Sequence, residues 1–346
     1  KSTDSSGKWS DKMSCLYIVI TPPWWEPARA WMDYLNRCQT LLQEGLFVAD
    51  LAYFTGDNVV GYTKVHRNEL NPVPPEGYDY DLMNTETLLN RAWIEQGRLR
   101  LPDGMSYRIL VLQEQSYITL GLLRKLREMV EQGLVIVGAR PHQTVGLQSY
   151  SITEEKEFEQ LCDELWGKNM ATMIDRNIGK GRVFWEISLN LNQVFRQIQL
   201  KPDFEVGDNP NSAPIRYIHR QIGDTDVYFV NNQRRTPEDI ICNFRVEGKV
   251  PEFWNPLTGE RSRALVYQKN EGMTSVPIQL DEYGSVFVVF RSDLPEQTAI
   301  RSIYKDSECL VDASVVSVEE QEQAKYFGVK DDFSISLWVK PESDAM

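Results

Sequence analysis

Apolar positions follow two rhythms along this chain, and the rhythm changes near Pro202. Upstream, short continuous apolar runs alternate with segments whose apolar residues fall three and four apart, the period of a helix face. LYIVI (16–20) reads as a buried strand, broken by Thr21-Pro-Pro-Trp24-Trp25. Residues 26–45 place Ala28, Trp31, Leu35, Cys38, Leu41 and Leu42 at helical spacing, with Gly45 as the stop. This strand, loop and helix have nothing before them to pair with. VADLAYF (48–54) is the next β-run. Residues 57–77 form a long Pro/Asn/Gly-rich loop, a length that suggests a functional or lid-like segment. Thr85 is placed to cap a helix TETLLNRA, with Asp79 and Asp81 as further capping candidates. Arg98–Leu101 reads as a short strand. RILVLQE (108–114) and LVIVGARP (134–141) are the continuous runs of strands buried on both faces. Between them LGLLRKLREMVEQG (120–133) is the clearest helix, followed later by EKEFEQLCDELWG (155–167), the strand GKGRVFWE (179–186) and the helix LNQVFRQIQL (191–200). Strands separated by such helices predict an open, mostly parallel α/β sheet over residues 46–201.

Beyond Pro202 the period drops to two. IRYIHRQI, DVYFVNNQ, IICNFRV, PEFWNP, ALVYQK, TSVPIQL and SVFVVFR are short strands with turn signals between them. They predict an antiparallel β-sandwich over 202–292, so the fold class is α/β plus all-β. Residues 293–332 read as an acidic crossing linker. FSISLWV (333–339) alternates like a half-buried strand that needs a partner sheet, either back on an upstream domain or in a domain it opens, and the chain is expected to be an excerpt of a longer protein.

Composition narrows the function. The 346 residues are 42% hydrophobic and 25% charged, ordinary for a globular chain. A net charge of −13 argues against nucleic acid as a partner, because phosphate binding needs a basic face. No apolar run is long enough for a membrane span. The polar opening KSTDSSGKWSDKMS contains no secretory signal. Cys15, Cys38, Cys162, Cys242 and Cys309 form no CxxC and read mostly as small buried hydrophobes, and His66, His142 and His219 are too scattered for a local zinc motif.

Candidate chemistry is sparse. GxSxG, GxGxxG, Walker and HExxH patterns do not occur in the sequence. Gly179-Lys-Gly181 precedes a strand, the wrong context for a phosphate loop. The strand ends Gln113-Glu114 and Gly138-Ala139 carry no Cys nucleophile, and Cys162 lies inside a helix. Glu26 and Glu114 have no visible partner carboxylate, and a glycosidase needs two. The segment Thr21 to Trp25 stands out. Two adjacent Trp in an extended segment cannot both face one core. Either one indole is exposed as a platform for a sugar ring, or both pack under a neighbouring domain.

The segments WWEPARAWMDYLNRCQTLLQEGLFVADLAYF, PPEGYDYDLMNTETLLNRA, RLRLPDGMSYRILVLQE, GKGRVFWE, LKPDFEV and IRYIHRQIGDTDVYFVNNQ follow one another in order. In this order the chain resembles the central and C-terminal part of family 106 glycoside hydrolases, the α-L-rhamnosidase type, over about residues 20–292. The resemblance implies a division of the chain. Residues 1–45 would be the last strand and helix of a (β/α)8 barrel, and 46–201 an amidotransferase-like α/β domain without amidotransferase chemistry. Residues 202–292 would be the β-sandwich, and 293–346 a linker with the first strand of a laminin-G or concanavalin-like jelly roll. It implies hydrolysis of rhamnosyl linkages by two carboxylates upstream of this chain, so no catalytic residue is assigned here. Thr21, Trp24 and Trp25 would line the sugar site, because barrel sites lie at the C-terminal ends of strands. The implied partner is a rhamnose-containing glycan or plant cell-wall oligosaccharide, with no cofactor or metal assigned and a periplasmic or secreted location by analogy. The competing expectation is a non-catalytic module that braces a barrel or binds glycan.

Overall fold

A computed structural model describes residues 25–56, 65–113, 117–144, 152–168, 173–186, 190–207, 214–292, 302–305 and 308–312. Helix α1 (Trp25–Gln43) comes first, then β1 (Leu46–Phe47), β2 (Leu51–Phe54) and β3 (Tyr80–Met83). A small antiparallel sheet follows, made of β4 (Trp93–Glu95), β5 (Arg98–Arg100) and β6 (Ser106–Tyr107). Then come β7 (Ile109–Leu112), β8 (Tyr117–Ile118), α2 (Leu120–Gln132), β9 (Val135–Val137) and β10 (Gln143–Thr144). Helix α3 (Ile152–Trp166), the hairpin β11 (Met173–Ile178) and β12 (Gly181–Glu186), and α4 (Leu191–Gln197) complete this part.

One six-stranded sheet has the order β11-β12-β9-β7-β2-β3, and all its neighbours are parallel except the β11–β12 hairpin. Its central strands are buried on both faces, which is why they read as unbroken apolar runs. Leu51, Tyr53, Ile109 and Val111 turn toward Leu191, Val194 and Phe195 of α4. Ala52, Phe54, Leu110 and Leu112 turn toward Leu122, Leu126 and Met129 of α2 and Phe158 and Leu165 of α3. Helix α2 matches its sequence limits closely. Thr119 accepts a hydrogen bond from Leu122 N at 3.4 Å, and Gly133 ends it at φ 125°.

Two further sheets are antiparallel. They use β13 (Phe204–Val206), β14 (Ile215–Ile222), β15 (Thr225–Asn232), β16 (Glu238–Phe244), β17 (Val250–Trp254), β18 (Arg261–Arg263), β19 (Gln268–Asn270), β20 (Met273–Leu280) and β21 (Ser285–Arg291). The orders are β1-β14-β15-β21-β17-β18 and β13-β16-β20-β19. They share one core: Tyr228, Val230, Val288 and Phe290 from the first meet Ile240, Cys242, Phe244, Val276 and Ile278 from the second. A last hairpin, β22 (Ser302–Lys305) and β23 (Glu308–Asp312), lies in the stretch read as linker. FSISLWV lies outside the described residues.

The structure refines or corrects several readings of the sequence. Helix α1, read as having nothing before it to pair with, packs on strands that come later in the chain. Cys38 packs with Val227, Phe287 and Val289 on the outer face of the first antiparallel sheet, joined by Tyr34, Leu41 and Leu42. Tyr34 Oη lies 3.0 Å from Ser285 Oγ, and Arg37 donates to the carbonyls of Pro256 and Leu257 at 3.0 and 2.9 Å. Arg220 donates to the carbonyls of Gln43, Glu44 and Gly45 and so satisfies the helix's C-terminal end. The helix placed at Thr85 is present over residues 85–91, its Thr87–Arg91 part a π turn, with Asn84 Oδ1 accepting from Thr87 N at 2.9 Å. Asp79 and Asp81 do not cap it. They flank or lie within β3, where each accepts from the next residue's N–H. The described part of the long loop carries a 3₁₀ turn, Arg67–Glu69, and is held by hydrogen bonds. Arg67 ties the carbonyls of Pro74, Pro75 and Tyr78 together, Tyr53 donates to Pro72, and Gly77 O accepts from Asp203 N. Residues 57–64 of that loop lie outside the described residues.

Candidate functional site

Thr21 and Trp24 lie outside the described residues, and Trp25 opens α1 with its side chain outside them. Glu114 and the Glu26 side chain are likewise outside. Helix α1 itself is fastened to the β-sheet by Tyr34, Arg37, Cys38 and Arg220, mostly in its second half.

At the C-terminal ends of the parallel strands, where open α/β sheets usually bind ligands, the described side chains serve packing. Gln113 Nε2 donates to Phe54 O at 3.3 Å, and Trp166 Nε1 to Gly138 O at 2.8 Å. A Cβ at Gly138 would come 2.5 Å from Leu112 Cβ, so this strand end holds no side chain. Cys162 is fully buried, and burial pushes its thiol up to about 12. It is therefore no thiolate nucleophile at neutral pH. Cys38 and Cys242 are also buried free thiols. Gly179 and Gly181 answer to sterics. A Cβ at Gly181 would lie 2.2 Å from Val130 O, so the glycine is needed where the hairpin meets α2. Among the described residues, no group of three or more His, Cys, Asp and Glu is arranged to hold a metal.

The densest polar cluster, which the sequence did not reveal, lies at the opposite edge of the parallel sheet, at the first residues of its strands. Asp50 precedes β2 and Arg108 precedes β7. Arg245 Nη2 donates to Asp50 at 2.8 Å and to Asp203 at 3.2 Å, and Arg108 Nε lies 3.3 Å from Asp50. His219, on β14, has Nδ1 2.9 Å from Asp203 and Nε2 3.1 Å from Asp226. Tyr228 Oη donates to Asp203, stacks on the His219 ring at 3.9 Å, and Lys249 Nζ closes the set on Asp226 at 2.8 Å. Asp50, Asp203 and His219 are 1%, 3% and 4% exposed.

Burial pushes the Asp50 carboxyl up, with Arg245 opposing. Burial also works against a charged His219, but Asp203 and Asp226 overcome it and hold the ring up to about 9. Both ring nitrogens face carboxylate oxygens, so only the imidazolium can donate to both. This closed network joins the parallel sheet to the antiparallel sheets, and apart from the half-exposed Arg108 at its margin its groups are engaged with one another rather than turned toward a substrate. Its role is structural.

A family model described as alpha-L-rhamnosidase, glycoside hydrolase family 106, matches residues 16–269, and the chain belongs to that family. It is 31% identical over 280 residues to a protein of Formosa agariphila provisionally named a beta-glucuronidase, an alignment covering 81% of this chain and 22% of that protein. Its structure is similar to that of a rhamnosidase from Novosphingobium sp. PP1Y, with a TM-score of 0.67 and 32% identity over 79% of this chain and 25% of that one. The chain thus spans about a quarter of the length of these relatives.

Proposed function

We propose that this chain belongs to an enzyme that hydrolyses terminal α-L-rhamnosyl linkages, with its two catalytic carboxylates outside this chain. The observation that carries the reading is the family match over residues 16–269, which spans α1, the parallel sheet and most of the paired antiparallel sheets. On this reading residues 1–45 close a (β/α)8 barrel, 46–201 form an amidotransferase-like domain, 202–292 a β-sandwich, and 293–346 lead toward a lectin-like domain. One carboxyl group protonates the leaving oxygen and the other activates water. Thr21, Trp24 and Trp25 line the sugar site, and α1, locked to the β-sheet, sets where that segment stands. The partner is a rhamnose-containing glycan, and the enzyme works in the periplasm or outside the cell.

A second reading, a non-catalytic module bracing a barrel or binding glycan, is favoured by the packing and structural roles of the polar groups described above. One experiment separates the two. Hydrolysis of an aryl α-L-rhamnoside is measured for this chain and for a version extended upstream through a whole barrel, with an aryl β-glucuronide as the second substrate. Rhamnoside cleavage by the longer version alone is expected. Inactivity of both on the rhamnoside overturns the proposal, and cleavage of the glucuronide alone replaces the substrate.

A further inference from the structure

One face of the small β4–β5–β6 sheet gathers cations in a chain whose net charge is −13. The register pairs Trp93 with Arg100 and Arg100 with Ser106, so these three side chains share a face. The same face carries Glu95 opposite Arg98, and Arg108, one residue past β6, lies near enough for its charge to oppose that of Arg98. Three guanidinium groups therefore stand together, and the acids that meet them are already engaged. Glu95 lies 3.0 Å from Arg100 Nε, and Asp50, 3.3 Å from Arg108, is held more closely by Arg245. Nearby Arg91 and Asp103 satisfy each other at 2.6 Å. Arg98 has a single polar contact, its Nε donating to Ser106 Oγ at 3.2 Å, and among the described residues no carboxylate lies within ion-pair distance of it. Burial presses its guanidinium down to about 10, and the charges of Arg108, Arg245 and Arg100 press the same way against Asp50. Like charges opposed across strands cost stability unless something shared lies between them. Trp93 is 42% exposed at the edge of this face.

We propose that this face is a binding site for a saccharide bearing an oxyanion, a uronate carboxylate or a sulfate ester, with Arg98 and Arg108 holding the anion and Trp93 stacking on the ring. A guanidinium fork matches both oxyanions, and an indole face suits the C–H side of a pyranose. The sugar half of the proposal rests on the glycosidase reading, whereas the anion half does not.

The test is calorimetric titration of this chain with inorganic sulfate, acetate, sodium D-glucuronate, glucose 6-sulfate and neutral L-rhamnose at low ionic strength. Binding is read apart from hydrolysis, so its failure is distinct from failure of the enzyme reading. The expected result is that one of the two anionic sugars binds more tightly than its bare anion, acetate or sulfate, and that rhamnose does not bind. Which sugar binds identifies the source of the oxyanion. Arg98→Gln should weaken that binding about tenfold or more while leaving the unfolding midpoint unchanged or higher, since it removes an opposed charge. Trp93→Ala should weaken the sugar but not the bare anion. If Arg98→Gln fails to fold, Arg98→Lys makes the comparison, keeping charge without the fork. The proposal is overturned if neither anionic sugar binds, if Arg98→Gln binds as the parent does, or if each sugar binds no better than its bare anion.

Discussion

Replacing His219 with glutamine should destabilise the protein by an amount that depends on pH in a specific way. In the folded chain His219 is held up to about 9, against about 6.5 for an ordinary imidazole. A raised folded value means the stabilisation is fully present below about pH 6.5 and is lost as pH climbs through 9. A rise of that size corresponds to about 3 kcal/mol at the low-pH end. The geometry agrees in sign. With the ring neutral, one nitrogen turns a lone pair toward Asp203 or Asp226, each about 3 Å away. A glutamine in its place would not titrate, so the stability gap between the two proteins should shrink from about 3 kcal/mol at about pH 6 to under about 1 kcal/mol at about pH 9.5. Urea unfolding of both proteins at about pH 6, 7.5 and 9.5 measures this directly. A gap that stays the same across this range would refute the reasoning, because His219 would then act by packing on Tyr228 rather than by its charge.

Three further outcomes follow from the same structure. Arg245→Met strands Asp50 and Asp203, both nearly solvent-free, and should cost about 3–5 kcal/mol in urea unfolding, with Asp50→Asn in the same chain recovering part of it. Gly45→Ala combines a φ of 63° with a Cβ 2.1 Å from Gln221 O, and should lower stability by about 2–4 kcal/mol, read as a shift in the unfolding midpoint. Cys162 should escape a thiol reagent in the native protein and react once urea is added, as followed by peptide mass mapping; labelling at the native stage would contradict its burial.

The parallel sheet was legible because each of its central strands is buried on both sides, so Ile109–Leu112 has no polar interruption to obscure it. Helix α2 was legible for a different reason: Thr119 and Gly133 mark its ends chemically. Strand β11 was missed because Asp175, Arg176 and Asn177 sit on an edge strand whose polar side chains reach solvent, and Arg182 pairs with Asp175 across the hairpin. The charge network was out of reach because Asp50 and Arg245 are 195 residues apart and each alone looks like a surface residue. The cationic face was more accessible. Arg98 and Arg100, then Ser106 and Arg108, alternate across a PDG turn, and period-two spacing on a hairpin puts such residues on one side. Thr21, Trp24 and Trp25 were proposed for the sugar site from sequence alone, and the docking of α1, which follows them, became visible only once its distant strand partners were folded beside it.

That docking has a temporal side. Tyr34 and Ser285, which meet across the helix–sheet interface, are separated by 251 residues. At a synthesis rate of about 5–20 residues per second, α1 leaves the ribosome roughly 10–50 s before its strand exists. Until β15 and then β21 are made, Cys38, Leu41 and Leu42 lack Val227, Phe287 and Val289, the strand residues of their cluster. The order of translation thus delays full docking of the first described helix until β21 emerges.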